Sequence, residues 1–245
     1  MTRPVAHILG VPFSTRNFDE TVNHLTELIE RGEQTHVITA NPEVVMLARG
    51  NPFFRSTLEQ AYVVPDGIGI VYAARWTHKP ITERVTGVEL MEALMARADE
   101  RGWNVYLLGA APDVVRLAAE KLHNRYPGAR IVGYRDGYFR QEEEEQIVQE
   151  IAAKNVQLLF VAMGAPRQDE WIARYRGRLR ATLMMGVGGS FDVVSGKVKR
   201  APLIWQKLNL EWLYRLLVTP SRWRRQLAIP RFVWTVLTEK WKTRS

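Results

Sequence analysis

The sequence predicts an α/β protein: a mostly parallel sheet with helices on both faces, followed by an all-helical C-terminal appendage. Three observations predict it. Short apolar runs alternate with amphipathic helical patterns over residues 1–196, which is the signature of βα units. Several of those runs end in turns rich in Gly, Pro or Asn. After Gly196 no strand signal returns, and the charge balance changes. A chain of 245 residues accommodates one full-sized α/β domain, residues 1–196, and an appendage, residues 197–245.

Val5–Leu9 reads as a strand. Asp19–Arg31 reads as a helix with Val22, Leu25, Leu28 and Ile29 on one face. Thr35–Thr39 is a second strand, and Pro42 opens a helix through Ala48, because proline suits the first helical position. Tyr62–Val64 is a short strand ending at Pro65-Asp66-Gly67. Val88–Arg101 is a helix, Val105–Leu108 a buried-type strand and Pro112–Arg125 a helix. Ile131–Tyr134 is a strand. Gln141–Lys154 is a helix whose Glu142–Glu145 run suits the positive end of the dipole. Leu158–Met163 is a strand, Pro166–Arg174 a helix and Leu183–Val187 the last strand. Pro202 then opens a helical pattern through Val218, and Pro220 and Pro230 divide the remainder into short helical pieces.

Hydrophobic residues make up 46% and charged residues 24%, which is ordinary for a soluble globular protein. The absence of cysteine excludes disulfides and thiolate metal sites. The N-terminus lacks an apolar signal core, and no window approaches ~18 consecutive apolar residues. The expectation is a cytoplasmic protein. Its net charge of +8 is unevenly placed. Residues 197–245 hold twelve Lys/Arg and two Glu, a net +10, whereas residues 1–196 sum to −2. The same tail holds five of the eight Trp.

In open α/β sheets, ligands bind at the carboxyl ends of the strands. The strand ends here are Thr39-Ala40-Asn41-Pro42, Pro65-Asp66-Gly67-Ile68-Gly69, Gly109-Ala110-Ala111-Pro112, Gly164-Ala165-Pro166-Arg167-Gln168 and Gly186-Val187-Gly188-Gly189-Ser190. Glycine lets backbone N–H groups approach a ligand, and a helix N-terminus offers unpaired N–H groups to phosphate. Each turn alone also reads as a plain strand-to-helix connection. Together at one sheet edge they point to a diphosphate-bearing ligand, with Gly109, Arg167, Gly188, Gly189 and Ser190 as candidate contacts. No GxGxxG follows the first strand and no Walker A sequence is present, which argues against ordinary NAD or ATP use. No Asp-x-Asp is present either. A nucleotide-sugar diphosphate would then be met by Arg and helix N-termini, with neither metal nor other cofactor.

Asp66 is the candidate general base, because displacement at a sugar carbon needs a group to take the acceptor hydroxyl proton. Asp-Gly is equally turn chemistry. Thr39 and Asn41 offer a hydroxyl and an amide to a hydroxyl-rich ligand, or serve as helix-capping residues before Pro42. Arg84 could meet phosphate, or be a surface charge. In the appendage, Arg222, Trp223, Arg224 and Arg225 form a basic aromatic cluster, while Val233, Val236, Leu237 and Trp241 share a helix face. Such helices lie in a membrane interface, each basic residue adding ~1 kcal/mol at an anionic leaflet. The other reading is a helical hairpin packed on the core. The three arginines are also candidates for the diphosphate of donor or acceptor.

The segments TANPEVV (39–45), VPDGIGIVYA (64–73), ERVTGVEL (83–90), YLLGAAPDVV (106–115), GAPRQDEW (164–171) and MGVGGSFDVVSGKVKRAP (185–202) together resemble the WecG/TagA/CpsF glycosyltransferases. The resemblance implies a Rossmann-like domain, a UDP-sugar donor, an undecaprenyl-diphosphate-linked acceptor and metal-free inversion at the donor carbon. It implies Asp66 as base, Thr39 and Asn41 as pocket residues, and Arg84 and Gln168 as ligand-binding positions. The sequence departs from the family in having Asp169 where a Glu often follows the Gln. The 186–202 segment and the basic tail most resemble the teichoic-acid branch, which transfers N-acetylmannosamine to undecaprenyl-diphosphate N-acetylglucosamine. The runner-up transfers N-acetylmannosaminuronic acid to the same lipid. The resemblance thus implies peripheral attachment to the inner face of the cell membrane, with homo-oligomerisation left open. A nucleic-acid-binding protein would also suit a pI of 9.9, but the basicity is confined to the tail and no recognition motif is present. A non-catalytic UDP-binding regulator is a third class.

Overall fold

The apolar runs of the sequence become the strands of one eight-stranded sheet. A computed structural model describes residues 4–202, 204–205, 210–218, 223 and 227–242, the side chains of 215 and 240–242 excepted. In chain order the strands are β1 (Val5–Ile8), β2 (Val11–Ser14), β3 (Thr35–Ala40), β4 (Tyr62–Pro65), β5 (Asn104–Gly109), β6 (Arg130–Arg135), β7 (Leu158–Ala162) and β8 (Leu183–Gly186). They pair in the order β1-β2-β4-β3-β8-β7-β5-β6. Every pair is parallel except β1–β2.

The helices are α1 (Phe18–Glu30), α2 (Pro42–Gly50), α3 (Pro52–Gln60), α4 (Ile68–Trp76), α5 (Gly87–Arg101), α6 (Pro112–Arg125), α7 (Glu144–Ala152), α8 (Arg167–Leu179) and α9 (Ser190–Val194), then α10 (Glu211–Val218) and α11 (Ala228–Lys242) in the appendage. One sheet face packs α1, α5, α6 and α9 over Val37, Val64, Leu107, Phe160 and Met185. The opposite face carries two separate cores. One sets α2, α3 and α4 over Phe13, Ile38 and Val63, and the other sets α7 and α8 over Leu108, Val161 and Met184. The division falls between β3 and β8, which pair through Ile38 and Gly186. From β3 the chain moves to β4 on one side, while β8 is reached from β7 on the other. That is a switch in winding, where an open α/β sheet leaves a crevice for ligand.

Four elements escaped the sequence reading: β2, α3, α4 and the short α9. β2 follows β1 through a two-residue turn, Leu9-Gly10, with both residues at positive φ, 50° and 83°. That is type I′ geometry, which sequence reasoning finds through Asn-Gly or Asp-Gly and not through Leu-Gly. α3 begins where α2 ends, because Asn51 closes α2 and caps α3 by accepting from Phe54 N at 3.0 Å. α4 starts directly after the Pro-Asp-Gly turn, with Gly67 at φ 96°. α8 also runs on past Arg174 to Leu179, since Leu179 is fully buried.

The last helix is built into the core. α11 inserts Phe232 and Val236 among Val44, Val45, Ile70 and Ala73 of α2 and α4. Val236 is 1% exposed, so the face it shares with Val233 packs on protein rather than on lipid. The outward apolar residues of this helix include Trp234, 72% exposed, and Leu237, 39% exposed. The side chain of Trp241 lies outside the described residues.

Candidate active site

Backbone hydrogen bonds draw four of the candidate side chains to one end of β3 and β4. Asp66 N donates to Ala40 O at 2.9 Å, which ties the Pro-Asp-Gly turn to the end of β3. Val85 N donates to Pro65 O at 2.7 Å, which brings the Arg84 segment to the same turn. α5 begins against Thr39: a Cβ on Gly87 would stand 3.3 Å from Thr39 Oγ1. α4 begins against α2: a Cβ on Gly69 would stand 2.7 Å from the Pro42 ring. Thr39, Asn41, Asp66 and Arg84 are all half-buried, so each has one side toward solvent and one held by protein. Asn41 Oδ1 accepts from Val44 N at 3.0 Å, so the capping role is real. The amide nitrogen of Asn41 is then the part of that side chain suited to a ligand oxygen.

A second group collects at the ends of β5, β7 and β8. Gln168 is buried, and its Oε1 accepts from Gly164 N at 3.0 Å and Gly188 N at 3.1 Å. It therefore pins the loops after β7 and β8 together. Gly186 must be glycine here, because a Cβ would stand 2.4 Å from Gln168 Nε2 and 2.5 Å from Asp169 Oδ1. Gly109 is required for a packing reason: at φ 120° a Cβ would meet Ala162 O at 2.4 Å. Ser190 Oγ donates to Val187 O at 2.7 Å, which holds the glycine loop in shape. Gly188 has φ 51°, and Gly189 is exposed at the same edge. Arg167 donates to Gly137 O at 3.3 Å and lies over the Phe139 ring. Arg222, Arg224 and Arg225 lie outside the described residues.

Four charged side chains at the rim were not all legible beforehand. Arg84 Nη1 donates to Glu211 Oε2 at 2.9 Å, from the domain to the first residue of α10. Arg200 pairs with Glu89 Oε1 at 2.5 Å and stands 3.6 Å from Glu211 Oε1. Thr86 Oγ1 donates to Glu89 Oε2 at 2.6 Å. Burial pushes the Glu89 carboxyl up, but the hydrogen bonds from Thr86 and Arg200 and the charges of Arg200 and Arg84 outweigh it and hold it below the usual carboxylate range. The Thr86-x-x-Glu89 spacing is a capping-box signal at the start of α5, and Glu211 is one of only two acids in the tail. Both signals were available in the sequence; their meeting was not.

Among the described residues, no group of three or more His, Cys, Asp or Glu is placed to hold a metal ion. No described helix is long and apolar enough to cross a membrane.

Residues 6–245 match the model of the Glycosyl transferase WecG/TagA/CpsF family. Proteins named N-acetylglucosaminyldiphosphoundecaprenol N-acetyl-beta-D-mannosaminyltransferase are similar along nearly the full chain. That of Bacillus spizizenii is 38% identical over 238 residues, 96% of this chain and 91% of the relative. That of Bacillus subtilis is 35% identical over 235 residues, 95% and 91% of the two chains. That of Staphylococcus aureus is 36% identical over 238 residues, 96% and 93%.

Proposed function

This chain belongs to the Glycosyl transferase WecG/TagA/CpsF family, and on that premise we propose that it moves N-acetylmannosamine from UDP to undecaprenyl-diphosphate-linked N-acetylglucosamine. The observation that carries the reading is the meeting of Thr39, Asn41, Asp66 and Arg84 at the β3–β4 edge, in a chain whose similar relatives bear that enzyme name. None of those relatives is named for a uronic-acid donor, so the N-acetylmannosaminuronic acid alternative has no comparable support.

The acceptor hydroxyl attacks the anomeric carbon of the donor from the face opposite UDP. The new C–O bond forms as the bond to UDP breaks, UDP leaves with the bonding electron pair, and the configuration inverts. Asp66 takes the hydroxyl proton as it becomes acidic. Negative charge grows on the leaving diphosphate. It is met by Arg84, the N-terminus of α5 and the amide of Gly189, on a loop that Gln168 holds through Gly188 N.

The appendage brings the enzyme to its lipid substrate at the inner face of the cell membrane. Trp223 and Trp234 are exposed, as are Leu217, Val218 and Leu227, within a stretch of net +10. Exposed Trp and aliphatic groups beside Lys and Arg suit an anionic interface.

The test is to offer the purified chain a panel of UDP-sugars with a short lipid-diphosphate acceptor and identify the product. N-acetylmannosamine transfer is expected. Preference for the uronic acid, or no transfer from any donor, would overturn the reading.

A further inference from the structure

The tail carries twelve basic residues and two acids, Glu211 and Glu239. Both acids meet arginines of the α/β domain: Glu211 meets Arg84 at 2.9 Å, and Glu239 meets Arg49 at 2.8 Å. The two pairs are unlike. Arg49 and Glu239 are 43% and 50% exposed, and a pair that open to water contributes little. Arg84 and Glu211 are 20% and 13% exposed. Glu211 Oε1 is buried and makes no hydrogen bond among the described residues, yet it stands 3.6 Å from Arg200 Nε. One carboxylate thus lies between two guanidinium groups, and Glu89 neutralises the second of them.

We propose that Glu211 is a positioning residue for glycosyl transfer: it docks α10 on the rim of the pocket and holds the Arg84 guanidinium in place at the start of α5. The inference rests on the transferase reading above. A long arginine side chain left free must lose its rotamer freedom each time it meets a ligand. Held by a half-buried carboxylate, Arg84 has lost that freedom beforehand. The carboxylate also opens α10, where negative charge suits the helix dipole. It therefore favours a formed α10 and a docked α10 together. Glu239 is far more exposed than Glu211, so it serves as the internal control.

The experiment uses the full chain with a water-soluble lipid-diphosphate acceptor analogue and measures kcat and KM for donor and acceptor. Glu211→Gln is expected to lower kcat/KM about 10- to 100-fold, mainly through KM, while its melting temperature stays above the assay temperature. Glu211→Asp keeps the charge on a shorter arm and is expected to fall between Gln and the unchanged chain. Glu239→Gln is expected to stay within about twofold. Limited proteolysis of the tail should be faster in Glu211→Gln than in Glu239→Gln. If the unchanged chain turns over and Glu211→Gln does so with the same constants, the inference is overturned alone. An Asp variant as poor as Gln would overturn it as well, since charge pairing would not be what matters. No turnover in the unchanged chain would overturn the transferase reading and this inference together.

Discussion

His36 Nε2 lies 3.4 Å from Asp169 Oδ1, with the two side chains 3% and 1% exposed. The pair joins β3 to the first turn of α8, next to the Gln168 side chain that pins two ligand-edge loops. Neither carboxyl oxygen has a hydrogen-bond partner among the described residues, so His36 is what the carboxyl group has. Replacing His36 with Leu leaves that group facing apolar packing, at a cost of ~3–5 kcal/mol. With ~2–4 °C per kcal/mol for a chain of this size, the melting temperature should fall by roughly 10 °C. Adding Asp169→Leu should recover part of the loss. A double variant whose losses simply add would show that the two side chains do not interact.

Asp66→Asn keeps the shape of the turn and removes the base. UDP binding should stay near that of the unchanged chain, and turnover should fall by ~10²–10⁴. Undiminished turnover in this variant would remove Asp66 from the mechanism.

Chelation separates metal-assisted from metal-free transfer. Activity should persist in excess EDTA, because Arg84 and helix N-termini suit the role a bound cation would take. Complete loss in EDTA, restored by Mg²⁺ or Mn²⁺, would contradict this.

Phe232→Ala tests the attachment of the tail. Phe232 is fully buried against α2 and α4, so the change should cost ~3–5 kcal/mol. A chain cut after Val198 loses Phe232 and Val236 together and bares the surface of Val44, Val45 and Ile70. It should melt lower and bind more of an apolar dye than the full chain. Equal melting temperatures would mean that α11 does not belong to the core.

Glu89 gives the rim a pH dependence with a definite sign. Its folded-state carboxyl is held below the usual carboxylate range, so its contribution is present at neutral pH and is lost as the pH falls through the lowered value. Glu89 is more than a third exposed, so screening holds the contribution to under ~1 kcal/mol. Glu89→Gln should therefore melt slightly lower than the unchanged chain at pH 7, and the gap should close as the pH falls below the usual carboxylate range. A gap that widened in acid would reverse the assignment.

Much of the scaffold was legible because its signals are local. The run Val105–Leu108 can only bury itself, and Pro112, Pro42 and Pro202 mark helix starts by their fixed φ. α3 opens at Asn51-Pro52 as α2 opens at Asn41-Pro42, and both asparagines cap their helices in the same way. Ser190 and Gly109 were legible as ligand-edge residues, and in the fold both meet the protein's own backbone. Sequence spacing cannot separate those uses, because both require a small residue at a strand end.

By itself the sequence determined the βα alternation, the gathering of Gly-bearing turns at one sheet edge, the family motifs and the concentration of positive charge after residue 196. Each depends on residues near one another in the chain, where periodicity and turn chemistry act. Only the tertiary structure decided the rest. It set β3 beside β8, placed Val236 in the core instead of on an outer face, and brought Glu211 to Arg84 across 127 positions. Those choices depend on which surfaces exclude water together and which charges are half-buried side by side. Pairing and burial of that kind exist only once distant segments are packed.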